Sequence, residues 1–196
     1  MKEERNILIA GLGGQGVNTL YAILQSLLLK AGFSSKGAIF KGGAQKRGSV
    51  YAMIRIVKDG TLENHFSPMI PEGQLDVLIA LEAYEALRYS RFYHPQTSLL
   101  VNNHRVPFFN ERYQKKTSPD PIKTLQTHFK NLIIQDFNSL SMNLLETRKM
   151  VNILMGLAAI EQKWIPIEPT DFLDAAQQKL SLPYNDMLIL MKEINV

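Results

Sequence analysis

A short apolar run that empties into glycines limits this chain more than any other stretch. Ile7-Leu8-Ile9-Ala10 leads straight into Gly11-Leu12-Gly13-Gly14-Gln15-Gly16-Val17, and a long apolar segment follows. Apolar residues without alternation over 6–10 predict a strand buried on both faces, as in a parallel sheet covered by helices. Beyond the glycines, Leu20, Ile23, Leu24, Leu27, Leu28 and Ala31 recur at three-to-four spacing, which predicts a helix with one buried stripe. Lys30 falls in its last turn, where a cation complements the helix dipole, and Gly32 suits its C-cap. Glycines at 11, 13 and 16 have the spacing of a dinucleotide-type phosphate loop. In such a loop a side chain would block the turn, the approach of a phosphate, or the packing of helix on strand. The first N–H groups of the helix lack intrahelical acceptors and favour an anion.

Charge around this loop has one sign. Between Arg5 and Lys58 there is no Asp or Glu, but there are Arg5, Lys30, Lys36, Lys41, Lys46, Arg47, Arg55 and Lys58. Residues 1–59 hold nine basic and three acidic groups, and the rest of the chain thirteen basic and fifteen acidic. A solvated face mixes signs, so the missing acids point to an anionic ligand or partner. The excess sits beside glycines and is not interleaved with aromatics along a groove, which suits a compact phosphate and argues against nucleic acid.

The 196 residues fit a single domain, 1–196, with 45% apolar and 20% charged residues. With no cysteine there is no disulfide, thiolate nucleophile, Cys-ligated zinc or iron–sulfur cluster in these residues. Met1-Lys2-Glu3-Glu4-Arg5 is unlike a signal-peptide n-region, because two acids precede a very short apolar run. Asn6 to Leu29 is uncharged for a nearly membrane-spanning length, but its glycines and Asn18 argue against insertion. The expectation is a cytoplasmic, soluble chain.

Strands alternate with helices along the sequence. Strands are expected near 35–40, 50–57, 76–82, 98–102 and 132–135. Helices are expected just after Glu82 and over 121–129, 142–163, 171–180 and 186–194. Lys58-Asp59-Gly60-Thr61 reads as a hairpin turn with a weak return strand over 62–66. The polar, proline-punctuated stretch 103–129 reads as a functional loop or docking segment. Together these predict an α/β, Rossmann-like layered fold: a mostly parallel sheet with an antiparallel hairpin, flanked by helices. Ligands of such sheets sit beyond the carboxyl ends of the strands, where the loops at 11–16 and 41–49 and the end of strand 76–82 would converge.

Little in the chain suggests its own catalysis. No Gly-x-Ser-x-Gly elbow and no Gly-Lys-Ser/Thr appear. A nicotinamide site wants an Asp or Glu about twenty residues past the loop, and Lys36 and Lys41 stand there instead. His65, His94, His104 and His128 lie far apart and read as loop or surface residues. Glu82 reads as a polar strand end, and Asn152 as a hydrogen-bonded core residue. Ser49 is either a phosphate donor or a simple strand-start serine. No catalytic residue and no metal ligand set is expected. The candidate binding residues are Gly11, Gly13, Gly14, Gln15 and Gly16 in the first loop, with Gly42, Gln45, Lys46, Arg47, Gly48 and Ser49 in the second.

Four segments, in order, carry a family resemblance: Gly-Leu-Gly-Gly-Gln-Gly-Val at 11–17, Lys-Gly-Gly-Ala-Gln-Lys-Arg-Gly-Ser-Val at 41–50, Ser-Pro-Met-Ile-Pro-Glu-Gly at 67–73, and Asp-Val-Leu-Ile-Ala-Leu-Glu-Ala-Tyr-Glu-Ala-Leu-Arg-Tyr at 76–89. The chain resembles the gamma-type subunit of 2-oxoacid:ferredoxin oxidoreductases, and within that family the beta subunit of indolepyruvate:ferredoxin oxidoreductase. Arg148, Asn152 and Gly156 also fit the family's pattern. Where the family's second loop commonly reads His-Gly-Met-Ala-Gln-Arg-Gly-Gly-Ser-Val, Lys41, Gly43, Lys46 and Arg47 replace the His, the Met, the Arg and a Gly. The resemblance implies a non-catalytic subunit, inactive alone, that packs against a catalytic subunit. That partner would carry thiamine diphosphate, magnesium and iron–sulfur clusters, and the complex would pass electrons to ferredoxin. CoA is implied at the interface, and a homo-oligomer is the expectation for the isolated chain. The alternative is a stand-alone nucleotide- or CoA-binding Rossmann-like protein.

Overall fold

The structure is a computed structural model that describes residues 4–43, 48–57, 66–107 and 119–181. Six strands form one sheet: β1 (Glu4–Leu12), β2 (Ser34–Lys41), β3 (Ser49–Val57), β4 (Val77–Ala80), β5 (Ser98–Asn102) and β6 (Leu132–Gln135). Their order is β2-β3-β1-β4-β5-β6. β1 pairs in parallel with β4, β4 with β5, and β5 with β6, whereas β3 lies antiparallel between β2 and β1. The mostly parallel α/β sheet predicted from the sequence is therefore present.

The antiparallel part lies elsewhere than expected. β3 has β1 on one edge and β2 on the other, so it has no edge left for a return strand after Gly60. Its hairpin partner is β2, and the turn is the second glycine segment, closed by Gly42 N–H donating to the Ser49 carbonyl at 2.7 Å. Phe66 is not in a strand, and residues 58–65 lie outside the described residues.

Helices α1 (Val17–Lys30), α2 (Ala83–Arg88), α3 (Pro121–His128), α4 (Phe137–Leu145), α5 (Val151–Glu161) and α6 (Pro169–Leu180) cover the sheet, with a 3-10 turn at Ser90–Phe92. Alternate residues of β1 serve the two faces. Ile7 and Ile9 pack with α1, α5 and α6, and Leu8 and Ala10 with α2 and α3. All four are fully buried, as an apolar run without alternation requires. In α1 the expected stripe Leu20, Ile23, Leu24, Leu27 and Leu28 is buried, whereas Ala31 is the exposed C-cap. α5 is buried from Val151 through Ile160, so it has no polar face.

The single long helix expected over 142–163 is two helices. α4 ends where Glu146 turns left-handed at φ 52°, and α5 starts only at Val151. Polar groups hold the turn between them: the Ser141 hydroxyl donates to the Thr147 carbonyl, and the Thr147 hydroxyl accepts from Lys149 N–H at 3.3 Å. The polar run Glu-Thr-Arg-Lys gives the backbone side-chain partners that compete with helical bonds. A helix expected over 186–194 lies outside the described residues. No described helix is long and apolar enough to cross a membrane.

Candidate functional site

β1, β2, β4, β5 and β6 all end at one edge of the sheet, where β3 begins, because Leu12 stands opposite Ser49 and Lys41 opposite Val50. The loops after β1, β2, β4 and β5 therefore meet at this edge, as expected for an open sheet.

The first loop is built from its own residues. Gln15 folds back so that its Oε1 accepts from Leu12 N–H at 2.7 Å, while its backbone N–H donates to the Leu12 carbonyl at 3.0 Å. That amide oxygen lies 2.9 Å from where a Cβ on Gly11 would sit, so Gly11 makes room for the closure. Gly16 starts α1 at φ 85° with no side-chain cap. Its carbonyl accepts from Asn152 Nδ2 at 3.1 Å, a bond across 136 residues, and a Cβ there would lie 2.5 Å from that nitrogen. Asn152 is thus a hydrogen-bonded core residue that pins the loop to α5.

Above this loop lies a cavity of about 700 Å³, lined by Gly13–Gly16 and Thr19, by His104–Pro107 after β5, and by Asn138, Arg148, Lys149 and Asn152. Among the described lining side chains four are basic or titratable to a cation (His104, Arg105, Arg148 and Lys149), and none is a carboxylate. The uncapped first turn of α1 adds N–H groups without helical acceptors. The donor set suits an anion, and a phosphate or diphosphate in particular. Burial pushes the His104 imidazole below its usual value; Asp136 pulls it up and Arg148 pushes it down.

The described residues of the second loop, Gly42, Gly43, Gly48 and Ser49, do not line the cavity. Gly13 N–H donates to the Gly48 carbonyl at 2.9 Å, so the two loops touch through their backbones. Ser49 opens β3, and its hydroxyl is committed inward, donating to Glu85 Oε2 at 2.5 Å and lying 2.8 Å from the Tyr89 hydroxyl. Glu85 is 1% exposed, and its other oxygen accepts from Arg88 Nε at 2.9 Å. Burial, the largest influence, raises Tyr89 to about 12, so its phenol stays protonated. Gln45, Lys46 and Arg47 lie outside the described residues.

Glu82 is a helix cap. One oxygen accepts from Tyr84 N–H at 2.8 Å and Glu85 N–H at 3.1 Å, the other from Val106 N–H at 2.9 Å. Burial raises its carboxyl, and these three backbone donors act the other way. Of the sequence-selected residues, then, Gly13, Gly14, Gln15 and Gly16 line the cavity. Gly11, Gly42, Gly48 and Ser49 build the ground beside it. His104, Arg105, Asn138 and Lys149 were not singled out for binding, and no motif marks them.

A model of the pyruvate ferredoxin/flavodoxin oxidoreductase family matches residues 6–182. The chain belongs to this family. Among curated relatives, the indolepyruvate oxidoreductase subunit IorB of Archaeoglobus fulgidus is 40% identical over 101 residues, which is 52% of this chain and 47% of that protein. The match thus spans about half the length of that oxidoreductase relative. The fold is that of the pyruvate oxidoreductase subunit PORC of Thermotoga maritima, with a TM-score of 0.68 at 16% identity over 96% of this chain and 92% of that one. A 2-oxoglutarate:ferredoxin oxidoreductase from Magnetococcus marinus, solved with 2-oxoglutarate, coenzyme A and succinyl-CoA bound, gives 0.64 at 13% identity over 98% of this chain and 30% of that one. The match thus covers less than a third of that longer chain.

Proposed function

We propose that this chain is the small, non-catalytic subunit of a thiamine-diphosphate-dependent 2-oxoacid:ferredoxin oxidoreductase in the cytoplasm, with indolepyruvate or another 2-oxoacid as substrate. It packs against the cofactor-bearing subunit and helps enclose the active site or CoA. The observation that carries this reading is the family match over residues 6–182 in a sequence without a single cysteine. A member lacking thiolates has none to hold iron–sulfur clusters, so the clusters belong to a partner; in this reading the same partner carries magnesium and thiamine diphosphate, and ferredoxin is reached through the complex. In isolation the chain forms a homo-oligomer.

CoA carries phosphates, and the cavity beside the first loop fits such groups: Arg105, Arg148 and Lys149 line it, with no carboxylate among the described lining residues. Gly14, Gly16 and Thr19 would hold a phosphate through N–H groups, and Gly13 and Gln15, whose N–H groups go to the Gly48 and Leu12 carbonyls, would shape the turn. Gly11, Gly42, Gly48 and Ser49 would shape the floor, and Gln45, Lys46 and Arg47 would meet the ligand or partner. When bound, CoA supplies the thiol that accepts the acyl group.

Tagged purification from the native cell, followed by native mass analysis and cofactor assay, tests the reading. The expected result is a co-purifying chain with thiamine diphosphate and iron–sulfur absorbance. The complex should reduce ferredoxin with a 2-oxoacid, and the isolated chain should not. Turnover by the isolated chain overturns the reading. A lone chain that binds NAD(P) or CoA stoichiometrically would establish the second reading, a stand-alone nucleotide- or CoA-binding protein, which the basic cavity favours. A dinucleotide fold, however, sets a parallel strand ending in an acid beside the glycine strand. Here antiparallel β3 takes that place and β2 ends in Lys41.

A further inference from the structure

Among the described residues lining the basic cavity, His104 is the one side chain whose charge can change near neutral pH. Its backbone is fixed on both sides: its N–H donates to the Asn102 carbonyl at 2.7 Å, and its carbonyl accepts from Ala83 N–H at 2.9 Å. The His104 backbone is therefore held at the cavity by the ends of β5 and α2. Among the described residues, the charged groups around it come from every neighbouring element. Asp136 caps α4, and Arg148 and Lys149 lie on the turn before α5. Arg105 follows in the chain and lies over the Tyr84 ring, and Glu82 caps α2 and binds Val106 N–H.

The two carboxylates among these groups are hydrogen-bonded. Asp136 accepts from Ser139 N–H at 2.9 Å and from the Ser139 hydroxyl at 2.7 Å. Glu82 has its three backbone donors. Asp136 still draws the imidazole up, more than Arg148 pushes it down, while the charged groups among the described residues lining the cavity itself are cations. With the cavity free of an anion, a further positive charge there is opposed first by burial and less by Arg148, against the pull of Asp136, and burial sets the direction in which the imidazole is displaced. A dianion entering the cavity reverses the local sign and favours the imidazolium, because an opposite charge within about 4–6 Å stabilises the charged form.

We propose that anion binding in this cavity is proton-linked: the neutral His104 takes up one proton as a phosphate-bearing ligand enters. This rests on the cavity being an anion site, not on the identity of the partner subunit. The proton comes from solvent and the ligand keeps its charge, so no bond is made or broken beyond N–H on the ring. The sign follows by linkage. Binding is tighter at low pH, where His104 is already charged, and weakens as pH rises until the bound form no longer holds the proton. The window lies between the free-state value, which is below 6.5, and the higher bound-state value.

The test uses the full chain and inorganic sulfate, which stays dianionic across the range, so the ligand's own titration does not intrude. Backbone amides of Gly13–Thr19 and the His104 ring proton are followed by NMR between pH 5.5 and 8.5 at constant ionic strength. The expected result is a His104 midpoint that rises by about one unit on saturation, with sulfate binding about tenfold tighter at the acid end. His104→Gln should bind with the same affinity at both ends. Should His104→Gln unfold the loop, the midpoint in the unsubstituted chain stands as an independent measurement. Sulfate binding at the loop with an unmoved His104 midpoint overturns the proton linkage and leaves the anion site standing. No perturbation of Gly13–Thr19 at any pH overturns the anion site, and the linkage with it.

Discussion

The two glycine-rich loops look alike in sequence and are built to opposite ends. The first, Gly11–Gly16, closes on itself through Gln15, opens onto a basic cavity and hands its free N–H groups to the solvent side. The described part of the second is the foot of a hairpin: Gly42 and Ser49 close the ladder, and the Ser49 hydroxyl points into a buried network with Glu85 and Tyr89. Glycine supplies close approach in both places, but what approaches is space for a ligand in one and protein in the other. A glycine count is thus evidence of tight backbone, and the neighbours decide whether that tightness serves binding or packing.

The harshest way to break this contrast is Gly16→Ala. The new Cβ would sit 2.5 Å from Asn152 Nδ2 at φ 85°. Left-handed strain and overpacking together should lower stability by about 3 kcal/mol, read by urea unfolding. A loss under about 1 kcal/mol would mean that Asn152 does not pin the loop. Ser49→Ala ranks second. It strips a hydrogen bond from the buried Glu85 carboxylate and should cost about 2 kcal/mol. Pyrophosphate affinity should stay within about twofold, since the site is independent. Intact stability with lost affinity would turn the second loop into a ligand loop and erase the distinction.

Gly14→Asp sharpens the contrast from the other side. Nothing lies within 4 Å of a Cβ there, and φ is 93°, a region that aspartate visits more readily than most residues. The fold should therefore survive, while the carboxylate set among cavity cations weakens pyrophosphate binding by about tenfold, or about 1.4 kcal/mol. Full binding, or full activity of the assembled complex, would make the first loop a packing turn as well. Arg148→Ala has the smallest expected effect: about fivefold weaker binding by calorimetry, with stability within about 0.5 kcal/mol because the side chain is exposed.

Much of the fold was legible because its signals are local. The stripe of α1 and the strands 98–102 and 132–135 were visible in residue order, since burial on one or two faces leaves a period in the sequence. The site was legible only in part. Gly13–Gly16 sit next to one another in the chain and can be read as a unit. His104, Arg105, Arg148 and Lys149 come from loops more than 40 residues apart and share no pattern until the sheet brings their strand ends to one edge.

The sequence by itself determined an α/β sheet with a glycine turn at the end of its first strand, a one-signed charge around that turn, and the absence of cysteine. Each is a property of composition or short-range spacing. Tertiary structure alone decided that β3 is reversed and wedged between β1 and β2, because pairing partners compete across the whole chain. It alone decided that Ser49 faces Glu85, and that the turn at Glu146–Met150 brings Arg148 and Lys149 to the cavity. Those outcomes depend on hydrogen bonds and charges between residues distant in the chain, and no local period records such partners.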